Sequence, residues 1–375
     1  MAVLAILLFH YLWATGILRT SEWLIVFDHL IAPFWFGVDV FFALSGYLIG
    51  LSLIRTRGDR GYYSGFYVKR LARIAPLYYL WLIPFLVARH LGAASWGEGY
   101  ASLFGLEPIS GIAYATFLQN FEQAALGGWG GGWLGVTWSL SIEMQFYLIV
   151  PVVLALAPPR RLLAVCAAIM VLSLVAYLAI AHFAGHFAAH VLTISRLDAP
   201  FAGVAAAAVV SMAGLRGAVQ RHPIAILAVT IACGLALYAA FVLVSFGTLD
   251  MHTVTITLVR HLLEWPFLIG LLLLAYVGRL ERLAGPAFGW LRWLGVRCFS
   301  IYLIHFGILG LLAQWLAGTS AHTLSGSAFF VLVPAIALTI GVAWLSWWSI
   351  EWPAIKASHR FGKRSSLQGS APSLP

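Results

Sequence analysis

Apolar stretches long enough to cross a bilayer, about 17 to 25 residues, recur from one end of the chain to the other. They run over 1–18, 30–54, 74–91, 134–157, 162–182, 199–213, 223–247, 262–278, 299–317 and 328–350, ten in all, with 199–213 the shortest. The pattern predicts an all-α, polytopic membrane protein of about ten transmembrane helices. Basic residues collect in cytoplasmic connections, so their placement tests the count. Segment 55–73 carries Arg55, Arg57, Arg60, Lys69, Arg70 and Arg73. Later connections carry Arg160, Arg161, Arg216, Arg221, Arg279, Arg282, Arg292 and Arg297, and the end of the chain carries Lys356, Arg360, Lys363 and Arg364. Together these are 18 of the 22 Lys and Arg, and the alternate connections hold only Arg19, Arg89, Arg196 and Arg260. An even number of spans with both termini cytoplasmic is expected.

Composition agrees with this reading. The chain is 62% hydrophobic and 9% charged, with mean hydropathy +0.93, whereas a soluble domain carries about 25% charged residues. A soluble globular enzyme is excluded. The net charge of +9 comes from basic residues at membrane edges, where they meet lipid head groups, and no nucleic-acid motif accompanies them. Cys166 and Cys233 fall inside spans and Cys298 at the edge of one, with no CxxC pair, so no metal or redox framework is expected. The opening stretch lacks a positive n-region and an A-x-A cleavage site, and is expected to stay in the mature protein. No internal repeat is evident. Segment 127–135, GGWGGGWLG, lacks the Lys and Ser/Thr of a phosphate loop and reads as a flexible outer loop with interfacial tryptophans. The chain divides into a membrane domain, 1–353, and a polar cytoplasmic tail, 354–375, expected to be disordered.

An ionisable group at lipid depth is costly and marks a functional site by default. His10 is such a group, and so is Asp39, near the outer end of FGVDVFFALSGYLIG, 36–50. In the same run Ser45 and Gly46 suit close helix packing. The segment FYVKRLARIAP, 66–76, places Arg70 and Arg73 three apart on one helical face beside Lys69, a fork suited to phosphates or to anionic lipid heads. Glu143, in WSLSIEMQFYLIVP, 138–151, needs a partner, for which His10 and an arginine are the candidates. His305 lies in LGVRCFSIYLIHF, 294–306, after Ser300 and Tyr302, as a catalyst or as a hydrogen-bonded structural residue.

These residues also carry a resemblance. His10 in a first span, GVDVFFALSGYLI, FYVKRLARIAPLY, WSLSIEMQFY, SRLDAPFAGVAAA, LGVRCFSIYLIH and a late IEWP, in order from residue 10 to about 353, resemble the acyltransferase 3 family of integral membrane acyltransferases, which O-acylate bacterial surface glycans. The resemblance implies a ten-helix enzyme of the bacterial inner membrane with acyl-CoA, usually acetyl-CoA, as co-substrate and no metal. It implies an essential histidine at His10 and a functional pair at Arg70 and Arg73, and it extends interest to Asp39, Ser45, Glu143, Arg196 and His305. One departure stands out: the family's arginine about ten residues before the first histidine would fall before Met1, so native translation is expected to begin upstream. Because few residues follow the last span, the fused extracytoplasmic domain of some members is not expected here.

The mechanism expected from these parts has His10 as general base for the hydroxyl of a saccharide or lipid-linked glycan, such as exopolysaccharide or lipopolysaccharide. Glu143 or Asp39 would orient its imidazole. Arg70 and Arg73, with Lys69, would hold the phosphates of coenzyme A, and the small residues around Ser45 would let the pantetheine arm approach the backbone. Direct transfer and a covalent acyl-enzyme are both open. The rival reading is a transporter or flippase for a lipid-linked saccharide, against which the halves show no matched repeat of broken spans.

Overall fold

In an apolar medium a backbone must close its own hydrogen bonds, and helices do this segment by segment. The computed structural model describes residues 2–358 except 14, 17, 19–21, 106–108, 251–252, 279–281, 283–284, 286 and 325–327, and among the described residues there are helices and connections but no strand. Arg19, Arg279, Arg360, Lys363, Arg364 and the polar tail from residue 359 lie outside the described residues.

The principal helices are α1 (Ala2–Trp13), α2 (Glu22–Ile31), α3 (Gly37–Arg55), α4 (Tyr62–His90), α5 (Trp138–Leu156), α6 (Leu162–Ala184), α7 (Asp198–Ser211), α8 (Ala213–Arg221), α9 (Pro223–Ser245), α10 (Val254–Tyr276), α11 (Cys298–Ala317) and α12 (Ala328–Ser346). Among the described residues eight stretches are long and apolar enough to cross a membrane, the first being Leu24–Arg55 and the last Phe330–Ser358. The two remaining spans read from the sequence are the short ones. The first is the twelve-residue α1, whose end, Phe9–Trp13, is a π-helical turn. The other is α7, which bends by 95° into α8. The last helix continues to Ser358, five residues past the boundary expected at 353.

α7 is short because it is enclosed. Almost every residue from Asp198 to Val210 is buried, and its small side chains bring it against α3. A Cβ on Gly46 would strike the carbonyl of Pro200, one on Gly203 would strike the carbonyl of Ala43, and one on Gly50 would lie 3.0 Å from the Ala207 methyl. Contacts advance in the same direction along both helices, so α3 and α7 run parallel. Their C-terminal ends, Arg55 and the Arg216 and Arg221 of α8, therefore lie at one end of the bundle. Arg57 joins that end to the last turn of α5 through a 3.0 Å hydrogen bond from Nη2 to the Ala155 carbonyl. Arg297 does so for α11 and α12, with its guanidinium 5.9 Å from the Trp347 ring.

The opposite end is capped by short helices: Glu98–Phe104, Gly111–Thr116, Gln119–Leu126 and Gly132–Gly135 between α4 and α5, and His186–Val191 between α6 and α7. Buried amides tie this cap together. Gln119 Nε2 reaches the Thr137 carbonyl at 3.0 Å, Asn120 Nδ2 reaches the Val191 carbonyl at 3.1 Å, and Gln145 Nε2 reaches Asn120 Oδ1 at 2.9 Å.

Candidate active site

Beneath the cap lies a cavity of about 890 Å³ walled by α1, α3, α10, α11 and the cap. His10 projects into it from the π-helical end of α1, a conformation that recurs at functional sites. Its Nδ1 is 2.9 Å from His305 Nε2 on α11. His305 Nδ1 is in turn 2.7 Å from the Tyr302 carbonyl. A carbonyl only accepts, so His305 Nδ1 carries the hydrogen and His305 Nε2 is left as an acceptor. It follows that His10 Nδ1 donates to His305 and that the lone pair of His10 sits on Nε2. Phe9 and Phe306 stand edge-on to the His10 ring, with centroids at 5.1 and 5.3 Å. Tyr11 fastens α1 to α11 and α12: its hydroxyl donates to the His305 carbonyl at 3.2 Å and lies 2.8 Å from Thr339 Oγ1.

The carboxylate expected beside His10 is elsewhere. Glu143 accepts hydrogen bonds from Ser45 Oγ at 2.8 Å and from the Tyr147 hydroxyl. Ser45 is thus a partner of Glu143, while Gly46 faces Pro200 and presents no open backbone for a pantetheine arm. Arg70 lies 5.7 Å from the centre of the Tyr147 ring and 5.8 Å from that of Phe66, so Ser45, Glu143, Tyr147 and Arg70 form one continuous polar line. Arg73 acts on a second group at the basic end, where Ser300 donates to Glu351 and the charge of Arg73 reaches that carboxylate. Glu351 also sits in a π-helical turn, Trp347–Glu351. Lys69 is exposed, turned away from both groups. Tyr302 spans the gap between cavity and Glu143: its hydroxyl donates to the Val136 carbonyl at 2.7 Å and lies 2.5 Å from Ser139 Oγ.

Asp39 belongs to a different set. It is fully buried and pairs with Arg196, and its other oxygen is 3.6 Å from Arg260 Nη2. Arg260 Nε is 3.1 Å from Glu264, His261 Nε2 is 3.4 Å from Asp198, and the Trp265 indole donates to Asp198 at 3.1 Å. Buried ions persist only in such compensated groups, since removing one partner leaves a charge without solvent. Arg196 is therefore a counter-ion of Asp39, and Asp39 does not orient His10.

The sequence reading passed over Arg260, His261, Glu264 and Asp198. The 260–264 spacing, one helical turn, was the available signal. It also passed over the amides Gln119, Asn120 and Gln123, whose partners include residues between 6 and 71 positions away.

Segment 127–135, expected as a flexible outer loop, forms the cavity wall. A Cβ on Gly131 would come within 2.8 Å of the Leu103 carbonyl and 2.9 Å of Gly105 N. Gly131 thus serves close backbone packing. Among the described residues no three His, Cys, Asp or Glu side chains gather to hold a metal ion.

The chain was compared with known proteins. It is 27% identical to the putative peptidoglycan O-acetyltransferase YrhL of Bacillus subtilis (strain 168), over 84% of this chain and 50% of that protein. It is 25% identical to the peptidoglycan O-acetyltransferase OatA of Listeria monocytogenes serovar 1/2a, over 95% of this chain and 54% of that protein. The chain thus spans about half the length of the curated relatives it matches. No solved structure matches it. The model of a family described as an acyltransferase domain matches residues 1–348, nearly the whole membrane bundle that holds His10, Glu143 and the Arg70–Arg73 pair, and the chain belongs to that family, acyltransferase 3.

Proposed function

We propose that this multi-pass membrane protein transfers an acyl group, acetyl in the simplest case, from an acyl-CoA to a hydroxyl of a cell-surface glycan, with His10 as general base. The observation that carries this reading is the pair His10–His305 at the cavity wall, because His10 lines the cavity while its Nδ1 is engaged by His305, which leaves Nε2 as the ring nitrogen with a lone pair. A neutral imidazole there removes the hydroxyl proton as the oxygen attacks the thioester carbonyl. The C–O bond forms, the C–S bond breaks, and the imidazolium returns its proton to the departing thiolate. His305 Nε2 accepts from His10 Nδ1–H throughout and keeps the ring in the right tautomer, the role an aspartate plays in hydrolytic triads.

The donor's phosphates meet Arg70 and Arg73, two guanidiniums three residues apart at the basic end. Glu143, with Ser45 and Tyr147, holds the line between that end and Tyr302. Acyl donor and acceptor would thus approach from opposite ends of the bundle. The activity in the names of the two relatives makes peptidoglycan the first acceptor to assay, in place of exopolysaccharide or lipopolysaccharide. The protein would then reside in the bacterial cytoplasmic membrane.

The test is turnover by purified protein in detergent. Free coenzyme A should appear only when acetyl-CoA and a glycan acceptor are both present, and acetyl ester should appear on the glycan. Transfer without any need for acyl-CoA, or no release of coenzyme A with any glycan, overturns the reading.

A further inference from the structure

The cap end of the cavity carries aromatic surface that the transfer step does not use. Trp129 is 46% exposed, and its ring lines the cavity. Phe187 meets it edge-on at 4.7 Å and 73°, and Trp138, which also lines the cavity, lies beside it at 6.2 Å with its ring tilted by 42°. His190 continues the floor 4.6 Å from Trp138.

Trp129 is held in place. Gln123 Nε2 donates to the Trp129 carbonyl and to the Gly135 carbonyl, both at 3.0 Å, clamping the two ends of the turn. Between them Gly131 packs directly on the backbone of 103–105. A half-exposed indole fixed this way is a rigid binding platform, with its ordering already complete before a ligand arrives.

We infer that Trp129, with Trp138 beside it, is a stacking subsite for an uncharged pyranose of the acceptor, and that Trp129 determines acceptor specificity. The inference rests on the proposed glycan acylation and names the part of the acceptor this cavity grips. A pyranose presents a face of C–H groups, slightly positive, to the negative face of an indole, while its hydroxyls point outward to polar walls. The walls here supply His10, Tyr302, His190 and the backbone of 130–132.

The charge balance argues against an anionic sugar. Among the described residues Arg260 is the one Lys or Arg on the cavity wall, and Glu264 at 3.1 Å with Asp39 at 3.6 Å already compensates it. His190, on the short cap helix outside the spans, is held well below its ordinary range by burial first, then by Arg196 and Arg260, and stays neutral. Donors are present without an uncompensated positive field, which a uronate would require.

The test uses binding as well as turnover. His10→Ala protein in detergent should bind chitotriose, an uncharged N-acetylglucosamine trimer, by calorimetry. Adding Trp129→Ala should weaken that binding about tenfold, whereas Trp129→Phe, which keeps a stacking face, should stay within about threefold. Trigalacturonate should bind no better than chitotriose. In protein with His10 intact, Trp129→Ala should raise KM for the glycan and leave KM for acetyl-CoA unchanged. No chitotriose binding, equal binding with Ala and Trp at 129, a Phe variant as weak as the Ala variant, or tighter binding of trigalacturonate each overturns the subsite. Saccharide binding that depends on Trp129 without coenzyme A release would instead overturn the transfer reaction and leave the subsite standing.

Discussion

In the proposed transfer His305 sets the tautomer of His10 without bringing a negative charge, so the pair would differ from a histidine–carboxylate couple in one respect: the imidazolium would be stabilised by sharing its proton along the line to the Tyr302 carbonyl. His10→Ala should lower transfer by about 100-fold or more, the usual range for a lost general base, while the protein keeps its gel-filtration profile. His305→Leu should lower kcat by about 100-fold as well, because the His10 tautomer is no longer set. His305→Gln should recover most of the activity lost in the Leu variant, since an amide oxygen can accept from His10 Nδ1–H. Equal kcat for the Leu and Gln variants would show that the tautomer is not the role of His305. At the donor end, Arg70→Ala and Arg73→Ala should each raise KM for acyl-CoA by roughly 10-fold, the effect of one hydrogen bond to a charged group, with KM for the glycan unchanged. Equal damage to both constants would assign the arginines to lipid anchoring. At this scale the chain singles out His10 and Glu143 by residue type and depth, and Arg70 by its spacing from Arg73. The partners of Ser45 and Asp39 were not, since a chain shows what needs a partner but not which residue 98 or 157 positions away supplies it.

Among the elements, the contact of α3 with α7 is the tightest, and its glycines make it testable. Gly46→Val and Gly203→Val each drive a branched side chain into a backbone carbonyl that cannot yield. Each should destabilise by about 1–3 kcal/mol or more, read as a lower thermal midpoint in detergent. Gly65→Ala in α4, where a Cβ meets nothing within 4 Å, should be neutral or stabilising by up to about 1 kcal/mol. Equal midpoints for all three would remove the packing argument. The small-residue reading of Gly46 could be made from the chain alone, because close helix approach in a membrane requires such residues. The extent of α10 could not. Arg260 and His261 interrupt its apolar run, so the span seemed to begin at 262, whereas the helix begins at Val254. Pairing inside the bundle removes the penalty that made those residues look like a connection.

For the whole molecule, among the described residues Arg55, Arg57, Arg216, Arg221 and Arg297 lie toward one end of the bundle, as the hydrogen bond of Arg57, the ring contact of Arg297 and the parallel run of α3 and α7 place them. By the positive-inside bias we propose that this end is cytoplasmic. In a cysteine-free background lacking Cys166, Cys233 and Cys298, Ala125→Cys on the cap should be labelled from outside the cell by an impermeant thiol reagent. Ser64→Cys and Ala218→Cys should be labelled only after permeabilisation. Labelling of Ala218→Cys from outside would invert the connections after α7. Gly130 is unsuited to this purpose, since its φ is +81° and a Cβ there would strike Ile109. The sequence by itself determined the all-helical membrane class, the grouping of positive charge and the residues at lipid depth, because hydropathy and the expense of a buried charge are local properties. Only the tertiary structure decided that His10 answers to His305, that Glu143 and Asp39 answer to hydroxyls and arginines, and that a glycine-rich connection is the rigid wall of a cavity. Those outcomes depend on which helices lie side by side, and helix neighbours are chosen by packing over the whole bundle, with no trace in the order of residues along any one span.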